Sequence, residues 1–314
     1  MKKNIFFIVL LLSGCNSDFS PNGPYHQQLV VYALLDGSTT TQLIRVYGTS
    51  NPDEYDPLQP SPNKEIQNAS VSVYNGQLSY LFHDTTIVVN NGSSGNRSVH
   101  AYVNYSLQPV EKTTYTLTVA AQGFDTSKAV ISSISLGDIL PGNITTLTKP
   151  GSEKTIPIRV ALGANVRAFL PMIVFEYEVQ SDGVIRTREV PIEVSKNSQG
   201  DITKKVYSKI LFRDASSNII GAYETILFNT DAYIATAIEI KKEYTGFTVK
   251  FRGALLTLVQ FDNNLYTYYS VANNFAGGAT LRLDEPDFTN IVNGFGVFGM
   301  QNKQVKTYGL PPDF

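Results

Sequence analysis

Between Thr113 and Phe124 the chain reads TTYTLTVAAQGF, an order that no amphipathic helix can use. Tyr115, Leu117 and Val119 fall on one side of an extended backbone and Thr114, Thr116 and Thr118 on the other. A 3.6-residue period would scatter both sets around the axis, whereas a strand with one buried face needs this alternation. The same pattern starts early. LVVYALLD spans a strand around Leu29–Leu35, Gly37 and Ser38 supply the turn into TTQLIRVYG, and NASVSVYN sets Val71 and Val73 against Ser70 and Ser72. Strands resume beyond residue 153 as TIPIRVAL, MIVFEYEVQ, VIRTREVPIEV, KKVYSKILF and IIGAYETILF. Ile173, Phe175, Tyr177 and Val179 share a face. Gly183 behind Asp182 provides a hairpin turn into Val184, and Pro191 marks an edge strand or a bulge.

Strands that follow one another through turns, without helices between them, predict an antiparallel all-β protein rather than an α/β one. A content of 18 Tyr and 17 Phe with no Trp suits half-buried strands. We expect an N-terminal antiparallel immunoglobulin-like sandwich over 28–136 and a Pro-, Gly- and Thr-rich linker over 137–152. A second β-rich domain with one short helix follows over 153–314. That helix is NNLYTYYSVANN, capped by Asp262, with Leu265, Tyr268, Tyr269 and Ala272 at helical spacing to close one end of the second core.

The first fourteen residues stand apart. Lys2 and Lys3 precede the apolar run Ile5–Leu12, which is too short for a membrane span of about 20 residues and has the length of a signal-peptide core. Leu12-Ser13-Gly14-Cys15 then resembles the lipobox of bacterial lipoproteins. In that family the cysteine thiol takes a diacylglyceryl group and cleavage falls just before it, which here is Cys15. Cys15 is the single cysteine of the 314-residue chain, so no internal disulfide can form. Residues 15–27 then form a lipidated tether; its polar part, Asn16–Gln27, reaches at most roughly 40 Å. The expected address is the outer membrane, with the periplasmic and cell-surface faces both open.

Other motifs weigh less. NGFGVFG, with Gly294, Gly296 and Gly299, fits G-x-G-x-x-G. A dinucleotide turn, however, lies between a strand and a long helix, with a carboxylate about 20 residues beyond. Only fifteen residues follow Gly299 and they offer no such unit. The alternation of glycines with Phe295 and Phe298 instead predicts a strand crossed closely by another segment. The mature chain is mildly acidic and carries no basic, aromatic-interleaved stripe, which argues against nucleic acid as a partner. The histidines are His26, His83 and His100. None has metal-ligand spacing, and His83 beside Asp84 is expected at a strand end with the carboxylate solvated. Asp53, Glu54 and Asp56 form an acidic loop without EF-hand order, read as solvated. No G-x-S-x-G occurs. We expect no cofactor and no metal.

EPDFTNIVNGFGVFG, residues 285–299, resembles the C-terminal signature of domain-of-unknown-function family 4249, with Glu285, Pro286, Asn290, Ile291, Gly294, Gly296, Phe298 and Gly299 filling its pattern. The tyrosine-paired helix precedes it at the family's distance. LVVYALLDGSTTTQLIRV, IQNASVSVYNGQLSYLF and TTYTLTVAAQGFDTSKAVISSIS are similar to its earlier strands. The resemblance implies a lipoprotein, often encoded beside TonB-dependent outer-membrane receptors, and supplies no site residues. The expected function is therefore a non-enzymatic binding or assembly module, anchored at Cys15 and working beside an outer-membrane receptor or transporter. The alternative is a surface carbohydrate-processing enzyme with a carboxylate pair in the second domain, where Tyr266 or Tyr268 would stack on sugars.

Overall fold

The computed structural model describes residues 26–49, 64–90, 96–140, 155–213, 223–275 and 288–309. Nine strands lie in the first part: β1 (Leu29–Asp36), β2 (Gln42–Gly48), β3 (Lys64–Glu65), β4 (Ser70–Tyr74), β5 (Ser79–Asn90), β6 (Asn96–Asn104), β7 (Thr114–Ala120), β8 (Ser127–Ser132) and β9 (Asp138–Ile139). Next come β10 (Thr155–Ala161), β11 (Ala168–Val179), β12 (Arg186–Val190), β13 (Glu193–Lys196), β14 (Ile202–Val206), β15 (Leu211–Phe212) and β16 (Tyr223–Asn229). The described elements end with α1 (Thr230–Glu243), β17 (Val249–Phe261), α2 (Asn263–Phe275) and β18 (Gly294–Tyr308). The protein is all-β, with two helices among the described residues.

Alternation decides which side chains go inside. Val71 and Val73 of β4, Tyr115, Leu117 and Val119 of β7, and Ile173, Phe175, Tyr177 and Val179 of β11 are all buried. Gly183 takes φ +75° in the turn after β11, and β12 folds back with Tyr177 opposite Arg186. β12 stands at one end of the strand order and stops at Val190, just before Pro191, as an edge strand should.

One hydrogen-bonded path runs β12-β11-β17-β18-β1-β2-β6-β5-β4-β7-β8, with β15 added to β11 and β3 to β2. Strand β18 lies inside this path and joins its two parts. Gly294–Gln301 pair in parallel with Leu29–Asp36 of β1, and Gln301–Tyr308 pair antiparallel with Phe261–Ala254 of β17. Residues from either side of the expected 137–152 linker therefore share one sheet. In the first part, β5 turns a corner: Ser79–Phe82 pair with β4, while His83–Asn90 pair with β6. The layers β1-β2 and β4-β7-β8 face each other over a common core that includes Leu29, Val31, Ile44, Val71, Tyr115 and Ile131. Their other margins meet at a two-way bridge, in which the Lys128 N–H donates to Val292 O at 3.1 Å and the Val292 N–H returns to Lys128 O at 2.7 Å.

Helix α1 corrects the expectation of a single helix. Its sequence, TDAYIATAIEIKKE, sets Ile234, Thr236, Ile238 and Ile240 at strand-like intervals, which hides the helical stripe. The Asn229 side chain accepts from the Asp231 N–H at 2.7 Å as N-cap, and Lys241 and Lys242 complement the last turn. Tyr233 meets Phe175 edge-on at 4.9 Å, so α1 covers the inner face of β11. Ile158, Val160, Ile226 and Phe228, from the small sheet β16-β10-β9, share that core. Helix α2 lies on the opposite face, where Leu265 joins Ala168, Phe261 and Val297. Among the described residues no helix is long and apolar enough to cross a membrane.

Candidate functional site

The glycine-rich run is a strand, and its glycines admit close neighbours. A Cβ on Gly294 would lie 2.7 Å from Leu29 O, one on Gly296 2.1 Å from Val31 O, and one on Gly299 2.5 Å from Leu265 Cγ. Gly296 also takes φ +103°, a region that costs a residue with a Cβ strain. Asn290 completes the segment: its Nδ2 donates to Phe298 O at 2.7 Å and its Oδ1 accepts the Phe298 N–H at 2.9 Å. A side-chain amide thus stands in for a strand neighbour. No phosphate-binding turn exists here, because the motif begins a strand instead of linking a strand to a helix.

Gly299 leads to the candidate site. Its bare Cα lets α2 settle on β18, and a Cβ there would also approach Asp262 Oδ1 to 3.0 Å. Asp262 joins β17 to α2; its N–H donates to Met300 O at 3.0 Å and its Oδ1 accepts the Leu265 N–H at 2.9 Å, the N-cap bond the sequence predicts. Burial pushes its carboxyl up to about 7, against the downward pull of N–H groups at Leu265, Met300 and Asn264.

Beside this carboxyl a cavity of about 290 Å³ opens, lined by Ser132, Asn165, Val166, Arg167, Arg213, Asp262, Asn263 and Asn264. Backbone pairing places its arginines. The Arg167 N–H donates to Phe261 O at 3.0 Å and the Arg213 N–H to Arg167 O at 2.9 Å, so each extends the β17-β11-β15 ladder by one step. Asn165 takes φ +64° in the preceding turn and donates from Nδ2 to Ser133 O at 3.2 Å, which ties that turn to the end of β8. Among the described residues the lining therefore combines two guanidinium groups, three side-chain amides, a hydroxyl and one carboxyl.

Residues 16–307 match the family described as Domain of unknown function (DUF4249). The chain belongs to the DUF4249 family. No curated protein matches its sequence.

In this DUF4249 member the other sequence-level candidates scatter. Cys15, the acidic loop Asp53-Glu54-Asp56 and the pair Glu285-Pro286 lie outside the described residues. His26 pairs loosely with Asp125 at 3.5 Å in the open. His83 lies within β5 opposite Val103, not at a strand end, and Asp84 is not merely solvated. Adjacent strand residues point to opposite faces, so Asp84 turns from His83 to Nε2 of the buried His100 on β6 and also accepts the Asn68 N–H at 2.5 Å. Among the described residues no group of three His, Cys, Asp or Glu could hold a metal.

Tyr268 meets Tyr32 edge-on at 6.4 Å, Tyr269 meets Phe261 at 5.4 Å and Tyr266 meets Phe212 at 5.2 Å. These rings glue α2 to the sheet. Among the described residues the cavity's lining offers a single carboxyl, where glycoside hydrolysis calls for two. Sequence reading found Asp262 through its capping role and missed Ser132, Asn165, Arg167 and Arg213. They come from segments whose only link is the fold.

Proposed function

We propose that this DUF4249 protein is a lipoprotein, anchored through Cys15 at the outer membrane or cell surface. It serves there as a non-enzymatic binding or assembly module alongside a TonB-dependent outer-membrane receptor. The observation that carries the reading is the position of Cys15: the one cysteine in the whole chain, directly behind a short apolar core and the small residues Ser13 and Gly14. Two or three acyl chains at that residue give lasting attachment, since each buried methylene contributes about 0.8 kcal/mol and one chain alone holds only marginally. The resemblance to a lipoprotein family encoded beside such receptors supports the partner. The many inter-strand loops of an all-β body supply surfaces on which recognition commonly resides.

Replacing the sulfur tests the anchor. Cys15→Ala is expected to abolish incorporation of radiolabelled palmitate and to move the protein from sedimenting envelopes to the soluble fraction. Equal labelling and sedimentation in both chains would end the proposal. The partner is tested by mild cross-linking of intact envelopes before detergent extraction. Recovery with an outer-membrane receptor is expected, and recovery as monomer alone across several conditions counts against it.

A further inference from the structure

We propose that the outer face of β18-β1-β2, at the end where the tether enters, rests in the headgroup zone of the bilayer that holds Cys15. Strand register builds this face. Phe295, Val30 and Tyr47 are direct neighbours across the three strands, and Val297, Tyr32 and Arg45 form the next row. The intervening Val31 and Val46 point the other way, into the core. Helix α2 covers the far part of the face, where Leu265 joins Val297 and Tyr268 meets the Tyr32 ring edge-on. The near part keeps large rings in the open: Phe295 is 44% exposed and Tyr32 40%. The outer face of β4-β7-β8 is different in kind. There Thr116 stands between Tyr74 and Val130, and Thr118 between Ser72 and Lys128.

Where the chain enters decides what lies opposite. The Gln28 N–H donates to Thr49 Oγ1 at 3.0 Å, and the Thr49 N–H returns to Gln28 O at 2.9 Å. The chain is thus pinned one residue before β1, at the end of the sheet that carries Phe295. A tether that reaches at most roughly 40 Å keeps this end within contact of the surface to which Cys15 is bound. Aromatic rings suit that zone, with the ring against the acyl boundary and a phenol among the headgroups. Arg45 lies over the Tyr47 ring at 4.9 Å and pairs with Glu65 at 3.1 Å, so the pair adds no net charge and its polar ends stay at headgroup level. The acyl chains supply attachment, and this face supplies orientation: with it turned to lipid, the outer face of β4-β7-β8 points away from the bilayer. The inference rests on the anchor proposed above and adds the pose that the anchor alone leaves free.

The test reads depth with a single indole, since the chain has no Trp of its own. The full mature chain carrying Phe295→Trp or Val130→Trp is coupled through Cys15, its only thiol, to a maleimide-headgroup lipid in vesicles of phosphatidylethanolamine and phosphatidylglycerol. Coupling supplies the tether whether or not cells acylate Cys15, so failure here is distinct from failure of palmitate labelling. An apolar face seated ~5–10 Å into the headgroup boundary should shift the emission of Phe295→Trp to the blue and let brominated acyl chains quench it at least about twofold more strongly than Val130→Trp. Tyr32→Trp reports on the same face, with the same result expected, if Phe295→Trp fails to fold. Quenching of Val130→Trp equal to or above that of the β18-β1-β2 reporter, or none at either face, would overturn the proposal. So would shielding of Phe295→Trp from iodide by native envelopes but not by lipid vesicles, which would give the face to a protein partner.

Discussion

Gly296→Ala is expected to cost about 3 to 5 kcal/mol of folding free energy, enough to leave a marginal domain largely unfolded. Two effects add. The backbone at Gly296 has φ +103°, and the new methyl would meet Val31 O at 2.1 Å. That oxygen belongs to β1 within the parallel β1–β18 ladder, with Val31 opposite Gly296, so neither strand can retreat without loss of pairing on both sides. Gly299→Ala offers a graded comparison. Its Cβ presses on Leu265, a side chain that can adjust, and the expected loss is about 1 to 3 kcal/mol, with α2 loosened. Urea unfolding followed by circular dichroism ranks the two. Equal and small losses would mean that the glycines are not required for close packing.

The second large effect concerns pH. The Asp262 carboxyl is held at about 7 by burial, against an ordinary value of 3.8. Between those values the folded protein keeps a proton that the unfolded chain has released, so stability falls as pH rises from about 4 to about 7 and is flat outside that window. Three pH units correspond to ~4 kcal/mol. Asp262→Asn keeps an oxygen to accept the Leu265 N–H but cannot ionise. The variant should therefore gain on the parent by up to ~4 kcal/mol across the window and hold that gain above pH 7. Paired urea titrations at pH 4, 5.5 and 7.5 measure the difference directly. A difference that does not change with pH would show that Asp262 is ionised throughout.

How much of this was readable depends on the element. β4, β7 and β11 announced themselves because each has one face in the core and one outside, which writes alternation into the sequence. β17 did not. Its stretch GALLTLVQF is buried or half-buried on both faces, between α2 and the inner core, so its apolar residues run on without a period. α1 was masked by isoleucines and threonines spaced like a strand's. The glycines of β18 were correctly read as points of close crossing because a nucleotide turn would have needed a following helix. What crosses them was not legible: Val31 and Leu265 carry no mark that ties them to residues far along the chain. The cavity is the extreme case. Asp262 shows as a helix cap, while Arg167 and Arg213 are ordinary surface-type residues until the β17-β11-β15 ladder aligns them.

The position of β18 sets the order in which the protein can be completed. Asp36 and its partner Gln301, joined by a 2.9 Å hydrogen bond from Gln301 Nε2 to Asp36 Oδ2, lie 265 positions apart. As the polypeptide emerges from the ribosome, β1 presents a naked margin, and so does β17, until β18 arrives to pair with both. Unfilled margins of this kind invite pairing with other chains. A product cut short before Gly294 should accordingly aggregate rather than accumulate as a stable shortened body.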